Sequence, residues 1–426
     1  MTLIEDAKNQ TLREEIGQIS HDENLSIDMV FKEIANGRMI IPHNNKRDNV
    51  NTIAIGSHAR VKTMTLIGSS TTFEDNKLEL EKAKIAIRYG ANIIADASTG
   101  PNLVENRRNL IKNINTPIAV TPIFEAATKA REREGACAFM NKKDILDAFE
   151  NVARDGVDII QISPALTQEL LTDFTKNKRV MGMTTRSSLV LSDYMLENDA
   201  ENPYYENFDK ILKIAEEYDV VLAFSRALGA LSVYDSLDNY YADEILILNG
   251  LIKKAKDANI QVMVGDVTNY PPNKMKCSVE LTNLLIHRVP AFSIGGLFTN
   301  LAPGYDHIVS AVAETFKGQV GVDLISCSSP TEALFVPAVE DVREATVASS
   351  IAAHIIELCR NNQDAWDLEE KMANARKNND IETQYEIAID SKKAEEINKR
   401  SPSVISWDCG ECKTGCLVKK ILTRHH

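Results

Sequence analysis

The sequence predicts an α/β chain organised as a closed (β/α)8 barrel of the TIM type. A small N-terminal region precedes the barrel, and a C-terminal helical segment ending in a cysteine-bearing arm follows it. Three observations carry this expectation. Short runs rich in Val and Ile alternate with amphipathic segments across residues 61–338, the pattern of parallel βαβ units. So many units in one run favour closure over an open sheet. Beyond residue 338 these runs stop, and Lys, Glu and Asp mix freely.

In chain order, residues 1–60 combine short helical patterns with a turn-rich stretch, Pro42–Asn49, that reads as a loop. Candidate strands follow at Val61–Ile67, Asn92–Ala97, Pro117–Pro122, Val157–Ile162, Val180–Met183, Val220–Phe224, Gln261–Val264, Ala291–Ile294 and Val320–Ile325. Nine candidates compete for eight places, so one lies outside the barrel. Between them, Lys77–Tyr89, Lys143–Asp155, Phe208–Tyr218 and Tyr241–Asp257 space apolar residues at i, i+3 and i+4, as helices do. In residues 339–400, Val339–Arg360, Ala365–Lys377 and Glu382–Lys399 read as helices with solvated faces. Ser401-Pro402-Ser403 breaks the pattern and opens the arm, 401–426.

Composition excludes several roles. The 426 residues hold 48 Lys and Arg against 61 Asp and Glu, a formal charge of −13. Phosphate neutralisation needs a clustered basic surface, so nucleic acid is not the expected partner. No apolar run reaches the roughly 18 residues that span a bilayer, and Glu5 and Asp6 interrupt the first residues as a signal peptide would not. A cytoplasmic protein without a membrane partner is expected.

Cysteine placement says more than cysteine number. Cys137, Cys277, Cys327 and Cys359 are scattered, as free thiols would be, and an odd total of seven does not suit a disulfide framework. Cys409, Cys412 and Cys416 crowd together near the end of the chain. Three close thiolates suit a [4Fe–4S] cube whose fourth iron stays open for a substrate such as S-adenosylmethionine. Gly410 and Gly415 permit a tight backbone there, and Lys413 and Lys419 bring positive charge to an anionic cluster. A zinc site is the rival reading and needs a fourth ligand, for which His425 and His426 are available. Surface cysteines without a ligand are the third.

In (β/α)8 enzymes the chemistry sits at the carboxyl ends of the strands. Here those ends carry Ser98-Thr99-Gly100, Thr121-Pro122, Ser163, Thr185-Arg186-Ser187, Ser225-Arg226, Asp266 and Ser326–Ser329. Ser98 and Thr99 offer hydroxyls and Arg186 a charge for a phosphorylated small molecule. His307, after Asp306, reads either as an oriented acid/base or as a packed His behind a helix-capping Asp. Glu332 reads either as a mouth residue or as an acid in the first turn of a helix, where its charge suits the dipole.

Residues Ile40-Ile41-Pro42, Asp96–Gly100, Ala302-Pro303-Gly304-Tyr305-Asp306-His307, Asp341–Glu344, Ala352–His354 and the terminal cysteines resemble the phosphomethylpyrimidine synthases of thiamine biosynthesis. The resemblance implies a (β/α)8 barrel and a homodimer whose cysteine arm reaches the partner's barrel. It also implies a [4Fe–4S] cluster on Cys409, Cys412 and Cys416 that cleaves S-adenosylmethionine, with aminoimidazole ribotide as substrate. An electron donor such as a flavodoxin or ferredoxin is implied with it. The departures are specific. Three residues separate Cys412 from Cys416 where the family has four. The family's two zinc-binding histidines fall on Asn269 and Ala333, so that zinc site looks lost. A substrate-contacting His falls on Ser163 and a Tyr on Phe124. Ser-Arg-Gly becomes Thr185-Arg186-Ser187, Asp-Gly-Leu-Arg becomes Ser225-Arg226-Ala227-Leu228, and a carboxylate becomes Gly265.

Three functions are therefore weighed. The first is the 5-hydroxybenzimidazole synthase branch of the same family, which makes the lower-ligand base of cobalamin in anaerobes, one form of it using two related chains together. The second is the pyrimidine synthase itself. The third is a non-catalytic partner subunit of a related enzyme. Retained cysteines favour an enzyme over a non-catalytic partner, and the loss of pocket residues points the other way.

Overall fold

The computed structural model describes residues 1–176, 179–236, 238–266 and 268–400. A short antiparallel pair, β1 (Met39–Ile40) and β2 (Ile55–Gly56), comes first. It is followed by β3 (Lys62–Ile67), β4 (Ile93–Asp96), β5 (Ile118–Val120), β6 (Ile159–Ile162), β7 (Val221–Phe224), β8 (Val262–Gly265), β9 (Ala291–Ile294) and β10 (Leu324–Ser326). These run parallel and close into a barrel, β10 pairing with both β9 and β3. Both faces of the strands are covered, which is why they read as continuous apolar runs. Met64, Ile93, Ala95, Ala119, Ile159, Val221, Ala223, Met263, Phe292 and Leu324 share one core cluster inside the barrel. The residues between them point outwards to the helices.

The candidate strand outside the barrel is Val180–Met183. Its first two apolar residues are exposed, Val180 at 73% and Met181 at 47%, and only Met183 is buried. Instead the Asp235 carboxylate accepts from the backbone N–H of Val180 and Met181, and Arg179 donates to the Gly182 carbonyl. A short Val/Met run thus becomes a pinned loop. The expected helices form within a residue or two, as Asn76–Arg88, Lys142–Asp155, Phe208–Tyr218, Asn239–Asp257, Val339–Cys359 and Gln363–Asn378. Lys142–Asp155 shows why: Asn141 and Asp144 form a reciprocal capping box, and Gly156 ends the helix at φ +99°. The single helix expected over Glu382–Lys399 is instead two, Ile381–Ile387 and Ser391–Asn398, because the Asp390 side chain caps a new start at Lys393 N.

The chain divides into two compact units, Met1–Ala353 and His354–His426. Within the first, the N-terminal helices Leu3–Lys8, Glu14–Asp22 and Ile27–Ala35 build their own core from Leu3, Ile16, Ile19, Val30 and Ile34. The β1–β2 pair, absent from the sequence reading because two-residue strands leave no periodicity, sends Ile40 and Ile55 into the barrel cluster. Around it, the side chain of Gln261 bonds both backbone groups of Ile41, and Asp219 accepts from Leu3 N and from Arg13. Asp158 accepts from Asn44 N and pairs with Arg47. Asp158, Asp219 and Gln261 stand one or two residues before β6, β7 and β8, so the N-terminal region closes the amino end of the barrel. The carboxyl end is left for the site.

Candidate functional site

Inward-facing residues one or two steps beyond the core form the floor of the carboxyl-end mouth: Ala97, Thr121, Gln161, Ser163, Ser225, Gly265 and Ser326. None of these carries a charge. Gln161 donates to Ser225 Oγ across β6 and β7. A side chain at Gly265 would meet Phe292 Cζ at 2.7 Å, so the Phe292 ring fills the space beside this glycine. The buried Ser326 hydroxyl finds no hydrogen-bond partner among the described residues.

The Ser98 hydroxyl is buried and accepts from Ser69 N at 3.0 Å and Asn106 Nδ2 at 3.1 Å, while Asp96 Oδ1 accepts from Ser98 N. Burial, opposed by these bonds, pushes the Asp96 carboxyl upward. Thr99 is half-buried. Glu74 brings its own carboxylate to this loop, accepting from Asn102 N at 2.7 Å, so a phosphate approaching here meets a negative charge. Phe124 is buried at the start of the helix Ile123–Glu134. Ser163, also buried, contacts Ser188 Oγ at 3.1 Å, and Ser188 contacts Thr185 Oγ1 at 2.7 Å. Thr185 caps the helix Arg186–Glu197 at φ +62°, a strained setting for a β-branched residue. Ser187 is buried behind it, whereas Arg186 is exposed.

Three of the rim residues share one field. Burial raises the Glu332 carboxyl, Asp306 adds to the rise and Arg186 opposes it. Glu332 lies in a turn before the helix that starts at Val339, not in a helical first turn. Its side chain is exposed. Asp306 accepts from Gly304 N at 3.0 Å rather than orienting His307. The carboxylate facing His307 is Glu344, 4.0 Å from Nε2, and the buried Nδ1 has no hydrogen-bond partner among the described residues. The structure thus brings Arg186, Asp306, Glu332 and His307 to the rim and leaves Ser98, Phe124 and Ser163 packed in the wall.

Arg226 and Asn269, both named from the sequence, have places in the wall that the sequence did not give. Arg226 is wholly buried, lying over the Tyr241 ring at 3.9 Å, with Asp266 at 3.7 Å and Glu244 at 4.0 Å. Its guanidinium makes no hydrogen bond among the described residues. Burial works against its charge, but Tyr241, Tyr270, Asp266 and Glu244 together raise its pKa. Glu244 in turn accepts from Leu228 N at 2.9 Å and from Ala227 N. The alternation Val221, Ala223, Ser225 inward was the available signal, since it turns Arg226 out towards the helices. Asn269 is the second. Its Oδ1 accepts from Leu297 N at 2.7 Å and its Nδ2 donates to the Leu231 carbonyl at 2.6 Å, joining the loops after β7, β8 and β9. With that amide engaged at both ends, and Ala333 offering no donor atom, these positions do not fit a zinc ion. Among the described residues no group of His, Cys, Asp and Glu is arranged to hold a metal. Cys409, Cys412 and Cys416 lie outside the described residues, and as three thiols they fit an iron–sulfur cube with one open iron. No helix among the described residues is long and apolar enough to cross a membrane.

Residues 2–423 match the Radical SAM ThiC family. The chain is 34% identical over 419 residues to phosphomethylpyrimidine synthase 2 of Methanothermobacter thermautotrophicus, covering 98% of this chain and 99% of that protein. It is 34% identical over 416 residues to the 5-hydroxybenzimidazole synthase BzaB of Moorella thermoacetica, covering 98% and 97%. Among solved structures, the dihydropteroate synthase of Yersinia pestis aligns with a TM-score of 0.43 at 12% identity, covering 75% of this chain and 99% of that one.

Proposed function

The chain belongs to the Radical SAM ThiC family, and from that premise we propose that it is a lyase converting 5-aminoimidazole ribotide to 5-hydroxybenzimidazole. The observation that carries the choice of product is the uncharged mouth floor, with the Phe292 ring filling the place beside Gly265. A flat fused ring presents mostly apolar surface to such a floor, whereas an aminopyrimidine brings an exocyclic amine and two ring nitrogens to it, and each unpaired buried polar group costs about 1–3 kcal/mol.

Cys409, Cys412 and Cys416 are the residues proposed to hold the [4Fe–4S] cluster. When bound, the cluster and S-adenosylmethionine supply the radical that starts the rearrangement. The chain's own contribution is binding, orientation and exclusion of water. Arg186, exposed at the rim, meets the ribotide phosphate. Glu332 and Asp306 oppose that phosphate on their side of the rim and so orient it towards Arg186. Phe292 and the small floor residues pack against the ring system and keep water from it.

The second reading, phosphomethylpyrimidine synthase, is supported by the 34% identity to the Methanothermobacter thermautotrophicus protein and by the rim cation that a phosphorylated product needs. Anaerobic reconstitution with iron and sulfide, followed by S-adenosylmethionine, reductant and aminoimidazole ribotide, separates the two. The arms run with and without a paralogous chain, and mass spectrometry reads the product. A benzimidazole upholds the proposal; a pyrimidine transfers it to the second reading. Cluster assembly without turnover in any arm overturns both and leaves a partner subunit.

A further inference from the structure

Behind β7, β8 and β9 the layer between barrel and helices is polar, where apolar packing is the rule. Arg226 comes after β7, Asp266 after β8, and Ser293 lies in β9, all buried. Facing them are Tyr241 and Glu244 of the helix Asn239–Asp257, and Ser310, Glu314 and Lys317 of the helix Asp306–Gln319, buried too. The two cations of this layer are used differently. Lys317 is bonded: its Nζ donates to Ser293 Oγ at 3.0 Å and to the Thr268 carbonyl at 3.3 Å. On the same helix Glu314 accepts from Gly296 N and Ser293 Oγ at 2.9 Å each, and Ser310 Oγ accepts from Ser328 N at 3.2 Å. Arg226 is not bonded. Asp266 at 3.7 Å and Glu244 at 4.0 Å are within ion-pair reach but beyond hydrogen-bond reach, and the Tyr241 ring supports the guanidinium at 3.9 Å.

The idle donors of Arg226 are explained by what the carboxylates do instead. Both Glu244 oxygens are taken by backbone, Oε1 by Ala227 N and Oε2 by Leu228 N. Asp266 Oδ1 accepts from the Tyr270 hydroxyl at 3.0 Å. A cation bonded directly to either carboxylate would compete for these acceptors. One held over a ring supplies charge and leaves the acceptors to the loops after β7 and β8. The loop after β6 is tied to the same residues, because Thr184 Oγ1 donates to the Arg226 carbonyl at 3.0 Å and Arg179 donates to the Leu228 carbonyl at 2.9 Å. Ser225, the residue before Arg226, is the floor hydroxyl that accepts from Gln161.

We propose that Arg226 is a positioning residue of the mouth: its unbonded charge neutralises Glu244 and Asp266, and the two carboxylates thereby hold the loops after β7 and β8, with Ser225, in ligand-binding shape. Arg226 itself touches no ligand. It stands at the glycine of the Asp-Gly-Leu-Arg stretch, whose arginine falls on Leu228, so this cation has no counterpart at that place in the stretch. Burial pushes the Glu244 carboxyl upward, and Arg226 is the first group to oppose it, ahead of the Ala227 and Leu228 N–H groups and Arg179. Without the Arg226 charge Glu244 takes a proton, one of its oxygens becomes a donor, and the loop loses an acceptor. Arg226 plays this part for any ligand of the mouth; only the choice of aminoimidazole ribotide as probe rests on the proposed function.

The test is amide hydrogen exchange on the full-length chain, read at Ala227 and Leu228 as a ratio to wild type. Arg226→Gln removes the charge and is expected to speed both amides roughly 10–100-fold, more at about pH 7 than at about pH 9, where Glu244 regains its charge. Ile118 N, bonded to Asp158 at the other end of the barrel, should keep its wild-type rate, which a general loss of stability would not allow. Arg226→Lys keeps a charge, but its compact ammonium must bond an oxygen, so its ratio should lie between those of wild type and Arg226→Gln. Affinity for aminoimidazole ribotide, titrated at the same two pH values, above the second phosphate ionisation near about pH 6, should fall in the same order. Unchanged exchange in Arg226→Gln, an equal loss at both pH values, or Arg226→Lys matching either extreme overturns the proposal. Where Arg226→Gln does not fold, Arg226→Lys decides alone, and wild-type exchange in it is the overturning result. A wild type that does not bind the ribotide overturns the proposed reaction and leaves the exchange ratios to decide the part of Arg226.

Discussion

The two ends of the barrel handle buried charge in opposite ways. At the amino end Asp158 accepts from Asn44 N, Ile118 N and Arg47, and Arg47 also donates to the Ile114 carbonyl at 2.8 Å. The ion pair is tied on both sides to backbone at or before strand starts, and only Arg47 Nε of its nitrogens lacks a hydrogen-bond partner among the described residues. At the carboxyl end Arg226 is just as buried, yet its nitrogens, Asp266 Oδ2, Thr268 Oγ1 and Ser326 Oγ lack hydrogen-bond partners among the described residues. A folded chain rarely leaves such groups unmatched. The difference separates an end built for stability from one whose polar groups are kept for ligand and loop geometry.

Breaking the amino end should give the largest effect. Arg47→Met leaves Asp158 buried without its cation and should lower stability by about 3–5 kcal/mol, read as a shifted urea midpoint. The fraction that remains folded should bind substrate as before. If Arg47→Met leaves the midpoint unmoved, the division of labour fails. Next, Gly265→Ala forces a methyl group against the Phe292 ring at the mouth floor and should cost about 1–3 kcal/mol. It should also weaken ligand binding, so its signature is a joint loss that Arg47→Met does not show.

Arg186→Ala sharpens the contrast from the other side. The residue is exposed and makes no ion pair within 4 Å among the described residues, so its loss should move stability by no more than about 0.5 kcal/mol. Titration with aminoimidazole ribotide should show roughly 10–100-fold weaker binding, the loss of one charge-assisted contact. Unchanged affinity would move the phosphate away from this rim.

The smallest effect is a pH dependence at the amino end. His43 Nδ1 lies 2.8 Å from Glu15 and its Nε2 lies 2.7 Å from the Arg47 carbonyl. The Glu15 contact leads in raising the His43 pKa, against burial, and the same contact lowers that of Glu15. A raised His stabilises fully below its unfolded value and loses that contribution as pH climbs through the folded one. A depressed Glu stabilises fully above its unfolded value and loses it as pH falls through the folded one. The pair therefore contributes most between about pH 4.3 and 6.5. Both groups are partly solvated, so the difference between wild type and His43→Gln melts should peak in that window at no more than about 1 kcal/mol.

Much of this molecule was legible in one dimension. Eight of the nine apolar runs became barrel strands because a strand covered on both faces needs nothing but Val, Ile and their like, and that leaves a local mark. The helix Phe208–Tyr218 was bounded correctly because its apolar spacing is local too. The three terminal cysteines and the Ala302–His307 stretch carried the family for the same reason, since each is contiguous.

What required the tertiary structure is whatever depends on residues far apart in sequence. Val180–Met183 has a strand's composition and fails to become one because Asp235 and Arg179 hold it as a loop. Ser98 looks like a ligand contact until Asn106 and Ser69 are seen to occupy its hydroxyl. Arg226 looks like one member of a substituted motif until Tyr241, Glu244 and Asp266 surround it. The helix Asp306–Gln319 buries Ser310, Glu314 and Lys317 and leaves Ile308, Val312 and Phe316 exposed; periodicity gives the two faces but not which one meets the barrel. That choice is made by the hydrogen-bonding demand of Gly296, Ser293 and Ser328, groups brought to the helix only when the barrel closes.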